Sequence, residues 1–226
     1  MVDASIGQWL IDTSPWAQWG LMALLGYLLG SVSGSLLLGK FKAIDIRTSG
    51  SGNAGGTNAF RTLGWRFALA VVVIDIGKGA LAAGLLPGLF AQMGSTQAFT
   101  TLAPIAGFAA ILGHIWPVYF GFRGGKGAGT AVGAVAVIAP GSILPMFIIW
   151  LITVLATGYV GLATIFAGLI LVPTMWWFGP TPLPASLASF AILTAALIVF
   201  AHRSNITRLL NGTENRFNTQ KIWRRR

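Results

Sequence analysis

Apolar residues run along this chain in blocks much longer than the buried face of a soluble helix. A helix that crosses a bilayer needs roughly 20 apolar residues. Ala17–Gly39, Phe67–Leu86, Ala98–Pro117, Tyr159–Phe178 and Leu183–Ala201 meet that length. Thr130–Thr157 is also apolar but is broken by Pro140-Gly141 and Pro145. It is long for one helix and short for two, and reads as a hairpin of two short helices, giving seven spans. A re-entrant pair or one kinked helix is the alternative. The expected fold is an all-α integral membrane protein with a single transmembrane domain over residues 1–226. Residues 1–16, with Asp3 and Asp12, form an exposed N-terminal tail in this reading, and residues 203–226 a basic cytoplasmic tail.

Composition agrees with this class. The chain is 55% hydrophobic and 9% charged, with mean hydropathy +0.76, whereas a soluble domain carries about 25% charged residues. No Lys or Arg precedes Lys40, which argues against a cleavable signal peptide. The absence of cysteine excludes disulfides, thiolate nucleophiles and Cys-based metal sites.

Charge then orients the spans. Lys40, Lys42, Arg47, Arg61 and Arg66 follow the first span, Arg123 and Lys126 the third, and Arg203, Arg208, Arg216, Lys221 and Arg224–Arg226 the last. Seven spans put these cations on one side, and the positive-inside rule places the N-terminus outside and the C-terminus in the cytoplasm. The net charge of +10 suits anionic head groups and anionic substrates, and no nucleic-acid partner is expected.

Three polar segments abut these spans: Gly50–Arg61, Gly113–Thr130 and His202–Glu214. In the first, Ser51, Asn53, Thr57 and Asn58 offer side-chain donors, Gly52, Gly55 and Gly56 let the backbone approach an anion, and Arg61 can grip phosphate bidentately. A dinucleotide fingerprint is mimicked by Gly50–Gly55 with Asp75 further on, but no α/β pattern follows. In the second, Gly124, Gly125, Lys126 and Gly127 open a helix, a setting in which backbone N–H groups and a cation attract phosphate. Thr130 closes that segment and joins the phosphate-binding set.

Asp75 and Lys78 stand i,i+3 inside the second span, where charges are costly, and read as a structural ion pair supporting the site. His114 and His202 end the third and last spans. Each could orient a hydroxyl, donate to a phosphoryl oxygen or accept a proton; a satisfied interfacial histidine is the bland alternative. The few carboxylates are scattered without ligand spacing, so no metal and no cofactor is expected.

SGNAGGTNAFR (Ser51–Arg61), DIGKG (Asp75–Gly79), GHIWPVYFGFRGGKGAGT (Gly113–Thr130) and HRSNITRLLNGTE (His202–Glu214) occur in this order. In that combination the chain resembles the bacterial membrane acyl-phosphate:glycerol-3-phosphate acyltransferases, the PlsY family, over nearly its whole length. Gly56 and Gly129 stand where that family usually has Ala, both small-for-small changes. The resemblance implies acyl transfer from acyl phosphate to the 1-hydroxyl of glycerol 3-phosphate, giving lysophosphatidic acid and inorganic phosphate. It implies an enzyme of the bacterial inner membrane whose active site faces the cytoplasm. It also implies a functional link to a phosphate acyltransferase that makes acyl phosphate. On this reading Lys126, His202 and Arg61 are catalytic. Ser51, Gly52, Asn53, Thr57, Asn58, His114, Gly124, Gly125, Gly127, Thr130, Asn205 and Glu214 bind substrate or phosphate, with Glu214 the reserve candidate for a base or a partner of Arg208. An acyl phosphate is already activated, so the absence of Cys and of a GxSxG motif is consistent. A membrane transporter of organic phosphates is the alternative function.

Overall fold

The computed structural model describes residues 14–217. Helices make up the frame: α1 (Pro15–Gly30), α2 (Gly34–Lys40), α3 (Gly56–Leu63), α4 (Trp65–Gln92), α5 (Phe99–Ile115), α6 (Ala128–Ile138), α7 (Ile143–Thr157), α8 (Val160–Phe178), α9 (Ala185–Ala201) and α10 (Arg203–Leu210). Every spanning element is helical because hydrocarbon satisfies no free backbone N–H or C=O. Among the described residues, four helical runs are long and apolar enough to cross a bilayer, and there are up to six if two bent pairs each count as one span. Ala128–Ile138 is a shorter apolar helix.

Three boundaries differ from the sequence reading. The stretch Ala17–Gly39 is not one helix: α1 and α2 are bent by 48° at Ser31–Ser33. The second span does not stop at Pro87 but runs through it to Gln92. The tail after His202 opens with helix α10, bent 52° from α9. Residues 1–13 and 218–226 of the two expected tails lie outside the described residues. The Pro140-Gly141 break does separate two short helices, α6 and α7, around one turn of 3-10 helix.

Small residues set how closely the helices pack, as expected where lipid offers no hydrophobic drive between helices. A methyl group on Gly26 or Gly30 of α1 would overlap the backbone of Ala106 or Ala110 on α5, and one on Gly113 of α5 would overlap Tyr27. The same reciprocity joins α4 to α6: Gly79 lies against the Thr130 carbonyl and Gly133 against the Ile76 carbonyl. The largest buried cluster, including Ile111, Val135, Leu171, Met175, Phe190 and Ile198, draws on α4 to α9 and sits beside the polar segments.

The bend between α1 and α2 frees backbone groups inside the apolar region, and α4 satisfies them. Lys78 Nζ donates to the carbonyls of Gly30 (2.6 Å) and Val32 (2.9 Å), and Asp75 Oδ1 accepts from the Gly34 N–H (3.1 Å). Both charged residues are only 4% exposed and lie 3.4 Å apart. The buried pair therefore braces a discontinuous helix.

Candidate active site

The first polar loop is wound around a single amide. Asn58 donates to the carbonyls of Ile46 (3.1 Å) and Ser49 (3.0 Å), and its Oδ1 accepts from the Ser51 N–H (2.9 Å). Gly50 takes a positive φ of 61° beside that oxygen, where a Cβ would collide with it. The side chain expected to bind phosphate is thus committed to holding the loop. Ser51, Asn53 and Thr57 remain on the loop surface, and the first-turn N–H groups of α3, from Gly56 onward, have no intrahelical acceptor.

The second loop folds back on the end of α5. Gly125 N–H donates to the His114 carbonyl and Gly124 N–H to the Ile115 carbonyl, each at 3.1 Å. Gly127 then enters α6 with φ +79°, a left-handed conformation that favours glycine. Arg47 fastens the two loops together. Its guanidinium forks onto Asp45 (2.7 Å at the closest) and also donates to the carbonyls of Phe120 and Arg123, each at 3.1 Å.

The third segment completes the cluster. Lys126 Nζ donates to Asn205 Oδ1. Asn205 Nδ2 donates to Glu214 Oε1, and Arg208 Nε donates to Glu214 Oε2, both at 2.7 Å. Burial pulls the Lys126 ammonium down from 10.5 to about 8, with Arg208 adding to that shift and Glu214 opposing it. Burial likewise lowers Arg61, which makes no hydrogen bond or ion pair to another described residue.

These groups surround a cavity of about 570 Å³. Its polar lining includes Ser51, Asn53, Thr57, Asn58, Arg61, Asp75, His114, Lys126, His202, Asn205, Arg208 and Glu214. An apolar wing continues between α7, α8 and α9, lined by residues such as Met146, Trp150, Val160, Gly168 and Leu171. A smaller cavity of about 300 Å³ shares Ser51, Asn53, Lys126 and Arg208 with it and adds Gly52, Gly124, Gly125, Arg203 and Ser204. Residues from three distant segments therefore converge, as their composition suggested.

Two expected binding residues line neither cavity. Thr130 is fully buried, its carbonyl packed against Gly79 and its hydroxyl without a partner among the described residues. Gly127 serves the turn into α6. Each Glu214 oxygen accepts one hydrogen bond, from Asn205 and from Arg208, the second being the Arg208 pairing that the sequence offered. Among the described residues no group of three or more His, Asp or Glu side chains could hold a metal ion.

A family model described as glycerol-3-phosphate acyltransferase matches residues 20–212. The chain belongs to that family. A glycerol-3-phosphate acyltransferase of Chlorobaculum tepidum is 41% identical over 217 residues, covering 85% of this chain and 94% of the relative. One from Shouchella clausii is 41% identical over 201 residues, covering 85% and 93%. Two crystal structures of PlsY, an integral membrane glycerol 3-phosphate acyltransferase, share the fold. The glycerol 3-phosphate form matches with TM-score 0.80 and 36% identity, over 92% of this chain and 100% of that one. The lysophosphatidic acid form matches with TM-score 0.77 and 35% identity, over 91% and 98%.

Within this acyltransferase fold, the Arg208–Glu214 pairing that the sequence offered is present, whereas the clamping role of Arg47 and the particular residues of the apolar wing went unread. Arg208 was available as a site residue from spacing, because i,i+3 from Asn205 on α10 puts both on one face. Arg47 and the lining of α7 to α9 carried no local signal that separates them from interfacial anchors and lipid-facing helix.

Proposed function

We propose that this enzyme transfers an acyl group from acyl phosphate to the 1-hydroxyl of glycerol 3-phosphate, releasing lysophosphatidic acid and inorganic phosphate. One observation carries this reading: a single cavity is cationic and glycine-lined at one end and mainly apolar along its other wing, where Thr164 and Thr194 are the polar side chains. An acyl phosphate is the shape and polarity that fills both. The adjoining polar cavity, which shares Ser51, Asn53, Lys126 and Arg208, suits the small hydrophilic acceptor. The solved relatives named for a glycerol 3-phosphate form and a lysophosphatidic acid form support the same acceptor and product.

Roles follow from the geometry. Lys126, backed by the Gly124–Gly125 turn, neutralises charge on the leaving phosphate. Arg61, Ser51, Asn53 and Thr57 hold phosphoryl oxygens. Asn205 aims Lys126, and Glu214 aims Asn205. Asn58 shapes the first loop from behind. Since the donor is already activated, positioning and charge stabilisation supply most of the rate. The convergence of polar groups on one cavity, rather than along a path through the bundle, disfavours a transporter.

The seven-span arrangement, with α6 and α7 as two membrane passes, belongs to the same proposal. So do an outside N-terminus, a cytoplasmic site, residence in the bacterial inner membrane, a single domain over 1–226, and a partner enzyme that makes acyl phosphate. The cations that follow the first, third and last spans support this orientation. The cysteine-free chain permits a clean check: Gly127→Cys and Ser204→Cys should both label only from the cytoplasmic side. For the chemistry, purified protein is offered palmitoyl phosphate or palmitoyl-CoA with glycerol 3-phosphate. Lysophosphatidic acid from the phosphate alone supports the proposal; formation from the thioester alone refutes it.

A further inference from the structure

In the sequence Arg216 is one of the cations that follow the last span; in the structure it belongs to a short strap, residues 214–217. Gly212, with φ +68°, turns the chain back at the end of α10, and the Thr213 N–H donates to the Arg208 carbonyl at 2.8 Å. The strap then crosses to the turn between α7 and α8. Arg216 Nε donates to the Thr157 carbonyl (3.0 Å), and the Phe217 N–H donates to the Gly158 carbonyl (2.7 Å). Gly158 sits at φ +76°, and a Cβ there would meet Arg216 Cγ and the Phe217 carbonyl oxygen, both at 2.8 Å. Glycine thus lets the strap lie directly on the turn. The Arg216 guanidinium stands 6.0 Å from the Tyr159 ring. The Phe217 ring stands 5.9 Å from that of Phe60 on α3, the neighbour of Arg61.

Two sides of the cavity thereby acquire a bridge. α3 packs on α4, whereas α8 packs on α7 and α9. The strap reaches the first group through Phe60 and the second through Thr157 and Gly158. Glu214 opens it, with a side chain only 3% exposed. Among the described residues, Glu214 and Asp75 are the carboxylates that line the cavity, and Asp75 is paired with Lys78. Burial lowers both Lys126 and Arg61, and the Glu214 carboxylate opposes that shift in each. A Glu214 free to swing away would leave Lys126, Arg61 and Arg208 to repel one another. We propose that Arg216 and Phe217 are positioning residues for acyl transfer: they pin the strap between α3 and the α7–α8 turn, fixing Glu214 and, through Asn205, the Lys126 ammonium. This rests on the acyl-phosphate reading above. The strap is a fixed brace and not a lid, held at two backbone carbonyls and two aromatic rings.

The chain has no cysteine, so the strap can be trapped chemically. Full-length protein carrying Phe60→Cys and Phe217→Cys, purified in detergent, is treated with a short bis-maleimide in the absence of substrate. The expected result is an intramolecular cross-link. The cross-linked enzyme should then turn over palmitoyl phosphate and glycerol 3-phosphate at least as fast as the same variant before treatment. No cross-link means that the strap is not docked, and loss of turnover on cross-linking makes it a lid; either result overturns the proposal. A double-mutant cycle tests the route through Glu214. Arg216→Ala alone should lower kcat about three- to tenfold, the scale of one charged hydrogen bond, with little change in the KM for glycerol 3-phosphate. In a Glu214→Gln background the same substitution should cost almost nothing. Additive losses would mean that Arg216 does not act through Glu214, and would refute the positioning role. Should the double cysteine variant not fold, the cycle decides alone. Cross-linking reads the strap without any turnover, whereas wild-type turnover of palmitoyl phosphate reads the underlying reaction, so the two can fail separately.

Discussion

Asn205 donates to Glu214 at 2.7 Å, and this contact turns the amide so that its oxygen faces Lys126. The second Glu214 oxygen accepts from Arg208, so Glu214 ties Asn205 and Arg208 together.

Glu214→Gln should therefore lower kcat/KM about tenfold, the scale of one charged hydrogen bond. Loss of a true general base costs more, about 10²–10⁴-fold. Steady-state kinetics with palmitoyl phosphate separates the two, and a loss of the larger size would make Glu214 a reacting group.

Lys126 gives a pH prediction. Burial disfavours its ammonium, so it loses its proton near pH 8 and not near 10.5. The charged form is the one that neutralises phosphate. The log of kcat/KM should be flat below about pH 8 on this account and fall with unit slope above it. Lys126→Arg, which keeps its charge, should lack that limb, and Lys126→Ala should lose about 10²–10³-fold in kcat. An unchanged alkaline limb in Lys126→Arg assigns the ionisation elsewhere.

The glycine seam between α4 and α6 predicts a stability effect without a chemical one. A methyl group on Gly133 overlaps the Ile76 carbonyl, so Gly133→Ala must push the helices apart at a cost of about 1–3 kcal/mol. Thermal unfolding in detergent should show a clear drop, with near-normal kcat/KM in the fraction that remains folded. An unshifted midpoint would mean that the seam is not tight.

Arg47 should matter although it lines neither cavity. Arg47→Ala frees Asp45 and two carbonyls of the second loop. The expected result is a KM raised severalfold for both substrates with a smaller change in kcat, as the loops lose register. A kcat defect with unchanged KM would place Arg47 in the chemistry instead.

Much of this was legible in the sequence because membrane helices declare themselves by length, and because Gly-Asn-Ser runs beside cations have few other uses. Pro140-Gly141 marked the turn between α6 and α7 by a local rule: proline removes a backbone donor. The bend at Ser31–Ser33 carries no such mark, since it is stabilised by Lys78 and Asp75 from over forty residues away. The apolar run ends at Leu86, yet the helix continues through Pro87 to Gln92, an extension that the loss of apolar character hides. Asn58 and Thr130 looked like ligands by type, yet packing turned one into a loop core and buried the other. Residue type and spacing locate a site, whereas the partner each side chain finds decides its role.

The most direct test is phosphate release from palmitoyl phosphate by the purified protein, with and without glycerol 3-phosphate. The account predicts release only when the acceptor is present, in one-to-one ratio with lysophosphatidic acid. Release without acceptor would make the cavity a phosphatase site, and no release under either condition would contradict the acyl-phosphate assignment.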